Sequence, residues 1–128
     1  MASRVGQFCI SVTNLAQAEE FYTTVCGLEV QDRIEIPDAK ELVLGSDGSD
    51  GKIQLAQKTS QDGAINHGDE ALWKFYIFTD DIEGIFSRAG EFEGAEQGMA
   101  PLKLEEWPVT VAFIIDPDGY KIELVQNN

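Results

Sequence analysis

The sequence predicts an α+β chain built from two copies of one βαβββ unit. Three observations predict it. Strand-like alternation passes directly into helical periodicity twice, each helix is followed by three strand candidates, and a six-residue segment near the end of each half is nearly the same.

The first strand spans residues 4–12, where Phe8, Ile10 and Val12 alternate with Gln7, Cys9 and Ser11. Asn14 with Gln17 three residues on has the spacing of a capping box, so a helix starts there. Leu15, Ala18, Phe21, Tyr22 and Val25 form its apolar stripe, and Gly27 is placed to end it in a left-handed conformation. Strands are expected near 28–36, 41–45 and 52–58, divided by Pro37-Asp38 and by the turn-rich run 46–51. Residues 59–70 are polar and glycine-containing and read as a linker.

The second unit opens with a strand at 72–79, in which Phe75 and Ile77 match Phe8 and Ile10 at a shift of 67 positions. Asp81 and Ile82 match Asn14 and Leu15 at the same shift. Ile82, Ile85, Phe86 and Ala89 give the second helical stripe, with Gly90 as its expected end, and strands are expected near 99–106, 110–116 and 120–126. The last of these carries the echo: Lys121-Ile122-Glu123-Leu124-Val125-Gln126 against Lys52-Ile53-Gln54-Leu55-Ala56-Gln57, four of six positions identical. The 128 residues thus read as a single domain of two modules, 4–58 and 72–126, sharing one core.

A formal charge of −14 sets the chain against phosphate backbones and anionic lipid surfaces, so neither nucleic acid nor membrane is an expected partner. No stretch has the length of a membrane span or the pattern of a secretory leader. Two cysteines, Cys9 and Cys26, lack the spacing of a metal finger and the density of a disulfide framework, which points to a reducing cytoplasm.

The segments VTNLAQAEEFYTTVCGLEV (12–30) and VAFIIDPDGYKIELVQ (111–126), with the strand-helix unit at 72–90, resemble the vicinal oxygen chelate superfamily, which includes glyoxalases, bleomycin-resistance proteins and dioxygenases. The resemblance covers nearly the whole chain and is most specific in the final motif. It implies two βαβββ modules pairing into an open, cup-shaped mixed sheet around a ligand cavity, completed by homodimerisation.

In metal-dependent members of that superfamily the first and fourth strands of each module supply four ligands, which fall here on Gln7, Gln54, Lys74 and Glu123. Only Glu123 is an ordinary charged ligand; Gln7 is tolerable and Gln54 weak. Lys74 departs from the pattern, because a protonated ammonium has no lone pair and repels a dication. The expectation is therefore no metal and no cofactor. In its place the Lys74 ammonium would pair with Glu123 and hydrogen-bond the amide oxygens of Gln7 and Gln54, satisfying a charge that is otherwise costly to desolvate.

Alternation places Gln7, Cys9 and Ser11 on one face of the first sheet, and Lys74, Tyr76 and Phe78 on the matching face of the second. Tyr76, Phe78 and Trp107 are candidate walls for a flat or apolar ligand, with ordinary core packing as the competing reading. Cys9 would face the cavity, where a strand cysteine is usually an inert small apolar residue and the nearby Lys74 would favour its thiolate. A lone loop histidine such as His67 is expected in solvent, and Asp116-Pro117-Asp118-Gly119 is expected to be a turn. Two readings of function stand. One is a metal-free small-molecule-binding protein with Gln7, Cys9, Gln54, Lys74, Tyr76, Phe78, Trp107 and Glu123 about its site. The other is an enzyme: a glyoxalase-type lyase, isomerase or dioxygenase retaining a divalent metal, or an acid-base catalyst using Lys74 and Glu123.

Overall fold

The computed structural model describes residues 2–49 and 51–128. Asp50, within the expected 46–51 turn, lies outside them. The chain divides into two compact units between Ile65 and Asn66, inside the expected linker. Each unit carries its own open sheet.

In the first unit β1 (Gln7–Ser11), helix α1 (Leu15–Glu20), β2 (Glu29–Ile36), β3 (Ala39–Gly45) and β4 (Lys52–Lys58) follow in the expected order. The sheet runs β1-β4-β3-β2, antiparallel except that β1 lies parallel to β4. A parallel pair cannot be joined by a hairpin, and α1 is the first part of the crossover that makes it possible. The Asn14 side chain accepts from the Gln17 backbone N–H at 3.0 Å, as its capping position predicts. The helix then widens into a π-helical turn over Phe21–Val25, with Cys26 N donating to Phe21 O. Gly27, at φ +78°, closes it in the left-handed region that glycine tolerates.

Alternation along the strands sorts the side chains. Ile10, Leu42, Leu44, Ile53 and Leu55 are buried on the face that α1 covers, together with Ala18, Phe21 and Tyr22 of the helical segment. Burying each large apolar side chain stabilises the fold by roughly 1.5–3 kcal/mol. Phe8, expected on this face, remains partly exposed near the start of its strand.

The second unit repeats the plan with β5 (Phe75–Phe78), α2 (Ile82–Glu91), β8 (Val109–Ile115) and β9 (Lys121–Asn127), β5 again lying parallel to β9. Four expectations fail here. The strand expected at 99–106 is instead two short pieces, β6 (Glu96–Gln97) and β7 (Leu102–Lys103), both antiparallel to β8. Between them Gly98 donates to Phe113 O while Met99 O accepts from Phe113 N, so two residues face one, and Pro101 has no N–H to continue a ladder. Gly90 does not end α2: the helix continues through Glu91 to an extended Phe92, and the left-handed glycine is Gly94 at φ +92°. The β5 strand starts at Phe75 rather than at residue 72. Asp81 corresponds to Asn14 in sequence, yet its carboxylate turns to Arg88 at 3.1 Å and caps nothing.

Both helices are capped from the last strand of their unit. Gln57 Oε1 accepts from Leu15 N at 2.7 Å, and Gln126 Oε1 accepts from Ile82 N at 2.9 Å. These glutamines are the last residues of the repeated hexamers. Each satisfies an N–H that the helix itself leaves without an acceptor. The turn before β9 is equally specific: Asp116, buried, accepts from Asp118 N and Tyr120 N, both at 2.9 Å, and Gly119 takes φ +91°. His67 is not a free loop residue, since its Nε2 lies 2.8 Å from Asp118 O and its ring packs edge-on against Tyr120.

Replacing Gln57 or Gln126 by Ala is expected to lower stability by about 1 kcal/mol each, the ordinary cost of losing a helix cap. Urea denaturation of the two single variants and the double variant checks this; a loss near zero for either would show that its helix does not depend on the glutamine.

Candidate functional site

The parallel pairings fix what stands beside what. In the first unit Cys9 faces Gln54 across the β1–β4 ladder, and in the second Tyr76 faces Glu123 across β5–β9. The residue two places before each, Gln7 or Lys74, reaches its neighbour on the last strand. Gln7 Nε2 donates to Gln54 Oε1 at 3.0 Å, and Gln54 Nε2 donates in turn to Glu41 Oε1 at 3.1 Å. Lys74 Nζ donates to Glu123 Oε1 at 2.6 Å. The repeated position therefore makes the same contact in both units, amide to amide in one and ammonium to carboxylate in the other.

The Lys74–Glu123 pair is largely shielded, with side chains only 13% and 14% exposed. Aromatic rings do the shielding. Nζ lies 4.2 Å from the Trp73 ring centroid, 5.1 Å from Phe113 and 5.3 Å from Tyr76. Cations are attracted to the negative faces of such rings, so three rings replace part of the water the ammonium has lost. The hydrogen bond to Glu123 holds Lys74 above the ordinary lysine range against an opposing desolvation, and Tyr76 adds to the upward shift. An ammonium so held is protonated at neutral pH and is a poor nucleophile or general base.

Other candidates fall into place differently. Tyr76 and Phe78 are not core: they stand 54% and 80% exposed on the face of β5 that α2 does not cover. Trp107, 61% exposed, precedes β8 and is not among the rings that surround Lys74. Cys9 is an exposed free thiol whose pKa is raised, first by desolvation and then by the Glu41 carboxylate, which together outweigh the lowering effect of Lys58. It is thus kept as thiol, not thiolate. Sequence reading missed Trp73 and Phe113. Trp73 precedes the strand, where alternation no longer assigns a face, and Phe113 lies on β8 opposite Glu123, a register the sequence alone does not reveal.

The family model of the glyoxalase/bleomycin resistance protein/dioxygenase superfamily matches residues 4–124. The chain belongs to this superfamily. Among solved structures it is similar to the trypanothione-dependent glyoxalase I of Leishmania major, at 22% identity and a TM-score of 0.79, over 98% of this chain and 87% of that one. Glyoxalase I of Zea mays gives 22% identity and a TM-score of 0.73 over 97% of this chain, but this chain spans only 44% of the maize protein. TnmS3, an antibiotic binding protein from a Streptomyces species, gives 22% identity and a TM-score of 0.69 over 99% and 98% of the two chains. These likenesses carry the fold, not the activity. No curated protein matches significantly. No helix among the described residues is long and apolar enough to cross a membrane.

Divalent metals in this superfamily sit on His, Gln or Glu donors, and the donor chemistry here does not fit one. Of the four residues on which the resemblance would place ligands, Lys74 offers a proton where a ligand must offer a lone pair, and Glu123 is engaged by that proton. Among the described residues no group of three or more His, Cys, Asp or Glu is arranged to hold a metal ion.

The raised Lys74 pKa fixes the sign of its pH dependence. Its contribution to stability is fully present below the unfolded lysine value, about 10.4, and is lost only as pH rises through the higher folded value. A carbon-detected NMR titration of the Lys74 Cε is expected to give a midpoint above that reference value, falling towards it in Glu123→Gln. An unchanged midpoint in the variant would show that the carboxylate is not the cause.

Proposed function

We propose that this chain is a metal-independent small-molecule-binding protein of the glyoxalase/bleomycin-resistance type. The observation that carries the reading is the shielded Lys74–Glu123 ion pair, formed by two residues that the family resemblance would assign to metal-ligand positions. A metal-dependent glyoxalase or dioxygenase needs those donors free. The acid-base alternative needs a lysine that can lose its proton near neutral pH, and Lys74 is shifted the other way. Binding needs neither.

Exposed aromatic side chains supply the contact surface on the second unit: Tyr76 and Phe78 on β5, with Trp107 beyond β7. On the first unit Gln7, Cys9 and Gln54 present polar contacts on the equivalent strands. The similarity to an antibiotic binding protein favours a natural product of drug size as ligand. Homodimerisation, as the superfamily implies, belongs to the same reading, and a content of two cysteines, Cys9 and Cys26, suits a reducing cytoplasm.

The test is elemental analysis after incubation with Ni, Zn, Mn and Fe, on wild type and on Lys74→His. The expected result is no stoichiometric metal in wild type and metal uptake in the variant, where an imidazole replaces the ammonium beside Glu123. Stoichiometric metal in wild type would overturn the proposal and favour the glyoxalase or dioxygenase reading.

A further inference from the structure

We infer that residues 68–73 form a strap on the second unit, and that the exposed Glu70–Lys121 ion pair is the latch whose release lifts Trp73 from Lys74. The latch goes beyond the binding reading above; that its release admits a ligand to Lys74 rests on that reading.

Three contacts tie this segment to β9 and the turn before it, in the same order along both. His67 Nε2 lies 2.8 Å from Asp118 O, with its ring edge-on against the buried Tyr120. Glu70 Oε1 lies 2.9 Å from Lys121 Nζ, and Lys74 Nζ lies 2.6 Å from Glu123 Oε1. Lys121 and Glu123 are two apart on one strand, so they share a face. From Glu70 to Lys74 the segment takes four steps where β9 takes two. The surplus is turned outward: Ala71, Leu72 and Trp73 are all exposed and belong to no helix or strand.

The outer contacts are firm and the middle one is weak. His67 packs on a buried ring and the Lys74–Glu123 pair is shielded, whereas Lys121 and Glu70 are 40% and 47% exposed. An exposed ion pair shifts an equilibrium by at most about fivefold, and salt screens it. Backbone strain opposes even that. Glu70 has φ +60° and is the one non-glycine residue among those described with a positive φ. The left-handed conformation costs a residue with a Cβ about the same factor or more. The closed strap is therefore held by a small margin. Of the three rings about the ammonium, Tyr76 and Phe113 sit on β5 and β8, and only Trp73 belongs to the strap. Release thus removes one wall of the shield and leaves the ion pair and the other two rings in place.

The test reads nitrogen-15 relaxation of the Leu72 and Trp73 backbone amides together with the Lys74 Hε chemical shift, which the Trp73 ring current displaces. In wild type at low salt the order parameters are expected close to the rigid value, about 0.85, and in Lys121→Gln below about 0.6. The Lys74 Hε shift of Lys121→Gln is expected to move towards that of Trp73→Leu, which has no ring to displace it. Adding about 0.5 M NaCl to wild type is expected to produce part of the same change, because the latch pair is exposed. This titration needs no substitution and stands if a variant fails to fold. The charge-swapped double variant, Glu70→Lys with Lys121→Glu, is expected to restore the wild-type values. Order parameters that neither salt nor Lys121→Gln lowers would overturn the latch, as would a swapped variant that stays mobile. A mobile strap with an unmoved Lys74 resonance would overturn the claim that release lifts Trp73. Stoichiometric metal in the preceding experiment would instead remove the binding reading and leave the latch.

Discussion

Everything at the site depends on one pairing: in each unit the first strand lies parallel to the last. Antiparallel order elsewhere in the sheets follows from short turns, but this contact joins residues 45 or more positions apart and needs a helix between them. Once it forms, the register admits little freedom, because a slip by one residue would turn every buried side chain of β1 or β5 to the wrong face. The same register brings Gln7 to Gln54 and Lys74 to Glu123. The chemistry of these pairs is thus a by-product of the interaction that closes each sheet.

Comparing the two pairs shows how one geometry accommodates different chemistry. Two amides can pair without charge, and in the first unit they do, with Gln54 donating onward to Glu41. An ammonium and a carboxylate in the same place bring a desolvation cost, which their mutual attraction offsets only if further groups assist. Trp73, Phe113 and Tyr76 are those groups. Removing one member of such a pair leaves the other charge shielded from water and unpartnered, so the lysine and the glutamate are constrained as a unit.

Much of this was legible in the sequence because it is carried by local signals. The repeated hexamers, the Asn14 cap and Gly27 each act within a few residues and appear in the structure as the pattern implies. The candidate pair Lys74 and Glu123 came from the family resemblance, which implies ligand positions at those residues. What was not legible depends on long-range contacts. The interrupted segment between β6 and β7 is set by how Gly98 and Met99 meet Phe113, and the hold on His67 comes from a turn 51 residues away. Gly90 misled because a glycine near a helix end is only a permission to stop; Gly94, not Gly90, adopts the left-handed conformation. Asp81 misled because a carboxylate with Arg88 within reach need not turn back to its own helix.

The glutamine caps have a consequence for the way each unit assembles. Leu15 and Ile82 receive their acceptors from residues 42 and 44 positions further along the chain. A fragment ending before β4 or β9 therefore contains the helix sequence but lacks part of what starts the helix. Helices this short are marginal on their own. Secondary structure in each unit is accordingly acquired together with sheet closure, so the helix and the last strand belong to one cooperative unit that opens and closes as a whole.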